Sequence, residues 1–224
     1  MIEFSNVRKI YSYGSQKCEA LKGVSIHIAK GEFVSIVGRS GSGKSTLLHI
    51  AAGLDSATQG VVRIDGVNLS ELSADQLSGH RNKKNGFVFQ SYYLEPAYTV
   101  FDNIAMPLLI AGVPKRDRKQ IVESVAEKAG ISHKLLGLSS KLSGGEKQRA
   151  AIARAIVNDP PILFADEPCG NLDTANSEAI MNLLKSLAGE GKTVVLVTHN
   201  LDDAKTADRI IALRDGLVVS DEAI

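Results

Sequence analysis

The spacing of hydrophobic and polar residues changes character several times along the chain. Over residues 1–36 and 61–67, apolar runs are short and separated by turn residues. Val24–Ile28 alternates with polar neighbours, and Val61-Val62-Arg63-Ile64 leads into the turn Asp65-Gly66. A period of two predicts strands with one buried face. Glu32-Phe33-Val34-Ser35-Ile36-Val37 predicts another strand, which runs straight into a glycine-rich turn. From Lys44 the spacing becomes helical, with Leu47, Leu48, Ile50 and Ala51 apolar and Gly53 a C-terminal stop. Residues 86–90, Gly-Phe-Val-Phe-Gln, predict one more short strand. From Tyr92 to about Asn158 the periodicity is helical, broken at Pro96, Pro107 and Pro114, with no strand candidate. The charges of Lys115–Lys119 open one of these helices as a solvated face. Beyond them lie an all-apolar strand at Ile162–Ala165, a helix around Ser177–Leu187 and a second buried strand at Thr193–Val197. Two wholly apolar strands separated by a helix imply a parallel sheet covered on both faces. The expected architecture is α/β: a parallel core, an N-terminal β portion and a helical insertion over about 91–158.

Composition narrows this little. The chain has 224 residues, 44% hydrophobic and 23% charged, with a formal net charge of +1. That suits an ordinary globular protein, excludes disordered and disulfide-rich classes, and argues against a large basic nucleic-acid face. Cys18 and Cys169 form no CxxC and fit neither a disulfide framework nor a zinc site. They read as small side chains in a reducing compartment. The start, Met1-Ile2-Glu3-Phe4, shows no signal peptide, and no run reaches the roughly 18 apolar residues of a membrane span. A cytosolic protein is expected.

Three segments carry chemistry. Gly38-Arg39-Ser40-Gly41-Ser42-Gly43-Lys44-Ser45, followed by Thr46, matches G-x-x-x-x-G-K-[ST] between a predicted strand and a predicted helix. Glycines let successive N–H groups point at phosphate oxygens, and the helix start adds its positive end. Lys44 supplies charge to the β/γ-phosphates, and the Ser45 hydroxyl suits Mg²⁺. At the end of the strand Ile162–Ala165 stand two adjacent carboxylates, Asp166 for Mg²⁺ and Glu167 to polarise an attacking water from the other side of the strand. In Leu142-Ser143-Gly144-Gly145-Glu146-Lys147-Gln148-Arg149, Ser143 and Glu146 fit a capping box opening the Ala150–Ile156 helix. That box does not explain Gly144 and Gly145, each costing about 1 kcal/mol against alanine inside a helix. Close approach of the backbone to a ligand explains them better, so this is a second anion-binding helix start.

These three segments, in this order over nearly the whole chain, resemble the nucleotide-binding subunits of ATP-binding cassette (ABC) transporters. The resemblance implies a P-loop NTPase with a RecA-like parallel core, an N-terminal antiparallel β subdomain and an α-helical subdomain. It implies ATP and Mg²⁺ as ligands. It also implies a head-to-tail pair of copies, in which the LSGGE of one covers the nucleotide on the phosphate loop of the other. By the same resemblance Tyr11, with Tyr13 as rival, would stack on adenine. Gln90, ending a strand, would sense Mg²⁺ and the attacking water. Asn171-Leu172-Asp173 would signal across the pair, and His199 would contact the γ-phosphate; His27, His49, His80 and His133 read as structural. Cys169 departs from the threonine or serine common after Asp-Glu-Pro, which raises its redox sensitivity as a question. Within the family the Gly170–Asp173 form and the Phe87–Gln90 strand look most like the lipoprotein-releasing (LolD-like) and macrolide-export (MacB-like) branch, with cell-division (FtsE-like) proteins similar.

The leading function is an ATPase motor docking on a separate membrane subunit, from the cytoplasmic face. A non-transport relative acting on DNA or ribosomes is the alternative. DNA-acting relatives usually carry coiled-coil or zinc-bearing insertions before LSGGE, ribosome-acting ones usually hold two cassettes, and this chain has neither. A kinase or GTPase gives no reason for LSGGE. The segment Ser91-Tyr92-Tyr93-Leu94-Glu95-Pro96, where the strand core meets the helical insertion, offers two aromatics and a leucine as either hinge packing or a groove for a helix of the membrane partner.

Overall fold

The computed structural model describes all 224 residues, the side chain of Tyr13 excepted. Two sheets share one apolar interior. The first is antiparallel and contains β1 (Ile2–Tyr13), β2 (Gln16–Ile28), β4 (Gln59–Ile64) and β5 (Val67–Asn68), in the order β2-β1-β4-β5. The second contains β3 (Phe33–Val37), β6 (Asn85–Val88), β7 (Ile162–Asp166), β8 (Thr193–Thr198), β9 (Arg209–Arg214) and β10 (Leu217–Ala223). Its order is β10-β9-β3-β8-β7-β6, parallel except for the β9–β10 hairpin. Every residue of β3, β7 and β8 is buried, as expected of central parallel strands, Ser35 of β3 included.

Helix α1 (Lys44–Ala51) lies between the sheets, and its Leu47, Leu48 and Ile50 pack with Phe4, Ile64 and Phe164. On the opposite face of the parallel sheet, Ile152 and Ile156 of α5 (Gly144–Ile156) join Ile180 and Leu184 of α6 (Thr174–Gly189). A third cluster is built from Ile104 and Leu108 of α3 (Val100–Ile110), Val122 and Ala126 of α4 (Lys115–Lys128), and Ala150 and Ala153 of α5. Helix α5 therefore serves two cores, one on each side. The remaining helices are α2 (Ala74–Lys84) and α7 (Leu201–Ala204).

Three expectations change. The N-terminal strands are long, 12 and 13 residues, because the apparent breaks are register shifts inside one ladder, as between Phe4 and Val7. There Asn6 takes φ 49°, a bulge that bends the strand without ending it. Strand β6 stops at Val88, where its pairing with Ala165 of β7 ends, so Gln90 stands two residues beyond the strand and does not end it. The helix expected around Ser177 begins at Thr174, because Asp173 caps it through the Asn176 N–H at 2.8 Å. The charges of Lys115–Lys119 do open α4.

On α5, Gln148 is wholly buried and neither of its amide atoms has a hydrogen-bond partner. A buried unpaired amide costs about 1–3 kcal/mol, whereas an apolar side chain of the same length costs nothing of the kind. Gln148→Met should raise the melting temperature of the nucleotide-free chain by several degrees. A fall in melting temperature on calorimetry would show that the amide is paired in solution.

Candidate functional site

The glycine-rich turn between β3 and α1 is held by its own lysine. Lys44 Nζ donates to the carbonyls of Gly38 and Arg39 at 2.9 and 3.1 Å, so the loop curls round a buried ammonium. Gly43, the N-cap, takes φ 101°, and a Cβ there would collide with the Ala20 carbonyl. Both facts demand glycine. The next residue, Ser45, donates its hydroxyl to Asp166 Oδ1 at 3.0 Å, joining α1 to the end of β7. One turn further along α1, His49 Nε2 lies 3.6 Å from Asp166 Oδ2. Burial pushes the Asp166 carboxyl above its ordinary range, opposed by the Ser45 hydroxyl and by His49.

Glu167 does not follow the simple strand alternation expected of it. It adopts a left-handed conformation, φ 48°, with its N–H on the Val197 carbonyl at 2.9 Å. Its Oε2 then lies 2.6 Å from His199 Nδ1, beyond the end of β8. Both side chains line a cavity of about 730 Å³ together with Arg39, Ser40, Gly41, Ser42, Gly43, Lys44, Ser45 and Thr46. Exposed Gln90 lines it too, and its Nε2 lies against Gly170, where a Cβ would be 3.3 Å away. Tyr11 forms part of the same wall, pinned through its hydroxyl to Asp55 at 2.8 Å and by the Lys9 ammonium 4.8 Å from its ring centroid. The rival Tyr13 side chain lies outside the described residues. Sequence reasoning missed two members. Cys18 lines the cavity beside Tyr11, and His49 touches Asp166. Only the four-residue spacing from Ser45 pointed to His49.

Ser143, Gly144 and Gly145 lie elsewhere and line no part of this cavity. The capping box forms as expected: Glu146 Oε2 accepts from the Ser143 N–H at 2.8 Å, and Ser143 Oγ accepts from the Glu146 N–H at 3.4 Å. These bonds, led by the one from the Ser143 backbone, together with Lys134, lower the Glu146 carboxyl to about 2. The glycines divide. Gly145 is buried and a Cβ would collide with Asn176, so packing within the chain also requires a glycine at that position. Gly144 is exposed and no such collision accounts for it.

The donors around Lys44 suit a triphosphate. Ser45 and Asp166, two oxygen donors already within a hydrogen bond of each other, suit Mg²⁺, which takes few protein ligands and completes its shell with phosphate and water. Residues 21–170 match the family model described as ABC transporter. The chain belongs to the ABC transporter family. It is an ATP-binding, ATP-hydrolysing subunit. It is 45% identical to the lipoprotein-releasing system ATP-binding protein LolD of Saccharophagus degradans, over 97% of this chain and 96% of that one. It is 47% identical to the macrolide export ATP-binding/permease protein MacB of Chlorobium luteolum over 99% of this chain, which spans 33% of that protein. A solved dimer of the ATP-binding cassette MJ0796, bound to ADP and Pi, superposes with a TM-score of 0.94 at 42% identity, covering 100% of this chain and 98% of that one.

Two further expectations of the ABC subunit are answered by its geometry. Cys169 is buried against the Ser177 carbonyl and its thiol is pushed up to about 12 by burial, which disfavours the thiolate that oxidants attack. In the segment after Gln90, Leu94 turns into the α3–α4–α5 core, whereas Tyr93 is 67% exposed. Only the tyrosine faces outward, into a cavity of about 430 Å³ shared with Leu54, Phe89 and Ile110.

The raised Asp166 pKa has a definite sign. An ionised carboxylate held above its unfolded value weakens the fold, so stability is fully present below the ordinary Asp value, about pH 4, and is lost as pH rises through the folded value. Asp166→Asn should therefore raise the melting temperature of the nucleotide-free subunit at pH 7–8 by more than at pH 4. It should also abolish Mg²⁺-dependent hydrolysis. Equal shifts at both pH values would refute the burial account.

Proposed function

We propose that the subunit works as half of a head-to-tail pair on a membrane partner, with each ATP held between the phosphate loop of one copy and the Ser143–Gly145 helix start of the other. One observation carries this reading: Ser143 and Gly144 are exposed, yet lie outside the cavity that holds the phosphate loop. Among the described residues neither Gly144 nor Gly145 N–H has a hydrogen-bond partner, since the capping box uses those of Ser143 and Glu146. Two donors at the positive end of α5 thus remain for an anion. The dimer of the MJ0796 cassette supports the pairing.

In the bound state Lys44 exchanges its two loop carbonyls for phosphate oxygens, and backbone N–H groups of Gly41 to Ser45 surround the same phosphates. Ser45 and Asp166 would hold Mg²⁺, which would supply positive charge against the phosphates. Glu167 takes a proton from the attacking water, and His199, held by Glu167 at 2.6 Å, faces the γ-phosphate. Gln90 orients the water, and Tyr11 supplies a ring for adenine. Asn171-Leu172-Asp173 abuts the α5 start, where Leu172 and the Asn171 carbonyl approach Gly144. Among the described residues no helix is long and apolar enough to cross a membrane. The likeness to transporter ATPase subunits favours work at the cytoplasmic face, where the Tyr93–Ile110 cavity receives a helix of the membrane subunit. The helical part over about 91–158 would move with it. The likeness to LolD and MacB favours lipoprotein release or export.

Glu167→Gln should keep ATP binding, slow hydrolysis by about 10²–10⁴-fold and leave a stable ATP-bound pair on gel filtration. Near-normal turnover would remove Glu167 from its role. Ser143→Arg should spare nucleotide binding by the single chain but block pairing and turnover. Mixed with Lys44→Ala chains, it should regain at most one working site per pair. Loss of nucleotide binding by Ser143→Arg alone would place both motifs in one site of one chain.

A further inference from the structure

The turn that follows Gln90 is strained and clamped. Tyr92 and Tyr93 both adopt left-handed backbone, φ 40° and 48°, a region that glycine enters freely and aromatic residues rarely do. Arg154 of α5 donates Nη2 to the Tyr92 carbonyl at 2.6 Å and Nη1 to the Tyr93 carbonyl at 2.5 Å. Adjacent carbonyls point opposite ways in an extended chain and the same way in a helical or left-handed one. The planar fork of one guanidinium therefore matches this turn and would not match an extended one. Among the described residues no carboxylate pairs with Arg154, so its charge is directed wholly at the turn. The same turn also meets the other end of α5, where the Tyr92 hydroxyl lies 3.4 Å from where a Gly144 Cβ would be. Gly144 and Arg154 stand about 15 Å apart along the helix, at 1.5 Å per residue. One rigid helix thus touches the turn at its anion-binding end and grips it near its other end.

We propose that Arg154 is a positioning residue that couples the two nucleotide sites of the pair. Its fork locks the Tyr92–Tyr93 turn to α5, so seating of the α5 start on the partner's nucleotide sets where Gln90 stands in this chain's own site. This rests on the head-to-tail reading above. The device differs from the residues that touch nucleotide: Arg154 acts through two carbonyls, and Gln90 is two residues away.

Steady-state hydrolysis by the full chain against ATP concentration tests it. The wild-type curve should be sigmoidal, with a Hill coefficient approaching about 2, the number of sites in the pair. Arg154→Lys keeps the charge and loses the fork. It should bring the coefficient to about 1 and lower kcat roughly tenfold, with nucleotide binding to the single chain within about twofold of wild type. Tyr93→Gly alone keeps the Arg154 fork and both carbonyls and should leave the coefficient near that of wild type, since the fork and not the tyrosine side chain links the turn to α5. Full cooperativity in Arg154→Lys overturns the proposal, and so does loss of cooperativity in Tyr93→Gly. A wild-type coefficient of 1 overturns the proposal, whereas the head-to-tail reading stands or falls with the ATP-bound pair of the Glu167→Gln chain. An independent measurement needs no change at Arg154: in the Glu167→Gln chain, ATP should slow hydrogen exchange at residues 91–94 and at 144–145 in parallel. Protection of residues 144–145 without 91–94 overturns the linkage.

Discussion

A single hydrogen bond, from the Ser45 hydroxyl to Asp166, holds the nucleotide site in register. It forms because β8 lies between β3 and β7 in the sheet, so the ends of all three parallel strands open on the same edge. The phosphate loop leaves β3, the carboxylates leave β7 and His199 leaves β8. Crevices at the carboxyl ends of parallel strands are where such sheets bind ligands, since loops and helix starts converge there. A slip of β7 against β8 by one residue would exchange Asp166 for Ala165 or for Glu167 at this point, and in the first case leave Ser45 facing a methyl group. The wholly buried strands make that slip costly, and so the depth of the core protects the placement of two oxygen atoms.

Around that fixed edge the chain places non-glycine residues in the left-handed region at Tyr92, Tyr93 and Glu167. Each such residue costs on the order of 1–3 kcal/mol and persists only where its surroundings over-determine it. Here the determinants are visible. The Val197 carbonyl holds the Glu167 N–H, and the Arg154 fork holds both tyrosine carbonyls. The strain sits in the two connections that leave β6 and β7, between the buried sheet and the residues proposed to meet water and γ-phosphate. A glycine would adopt the same angles without cost and would also leave them without cost.

What was legible in the sequence follows from how local its physics is. The phosphate loop, the Asp166-Glu167 pair and the Ser143 capping box depend on residue types at fixed short spacing and form where expected, except that Glu167 leaves the strand through a left-handed turn. Buried strands β7 and β8 were legible because their nearly continuous apolar runs suit a parallel strand covered on both faces, and β3 because it leads straight into the phosphate loop despite Ser35 at its centre. Long-range contacts were not legible. Gly145 is a glycine because Asn176, far along the chain, occupies its Cβ position. Leu94 looked like part of a groove until α3 and α5 closed over it. Cys18 and His49 gained their places beside the nucleotide site only through the packing of β2 and α1, and nothing in the local sequence around Arg154 points to the Tyr92 and Tyr93 carbonyls.

The start of α5 shows why a structural reading and a ligand reading of one motif need not compete. A helix leaves its first N–H groups without partners inside the helix. The capping box satisfies the N–H of Ser143 and of Glu146, the first and last of the set, and leaves those of Gly144 and Gly145 between them. Glu146 brings negative charge close to that gap, and Lys134 at 3.0 Å offsets it. The box therefore fixes the angle at which α5 begins, the glycine at 145 lets Asn176 pack against that start, and the glycine at 144 keeps the opening uncovered. Stability of the helix end and access to its remaining donors come from different residues of the same four. That division lets a cap worth about 1 kcal/mol to the free chain coexist with two open donors, which the proposed pairing would offer to an anion on a second copy.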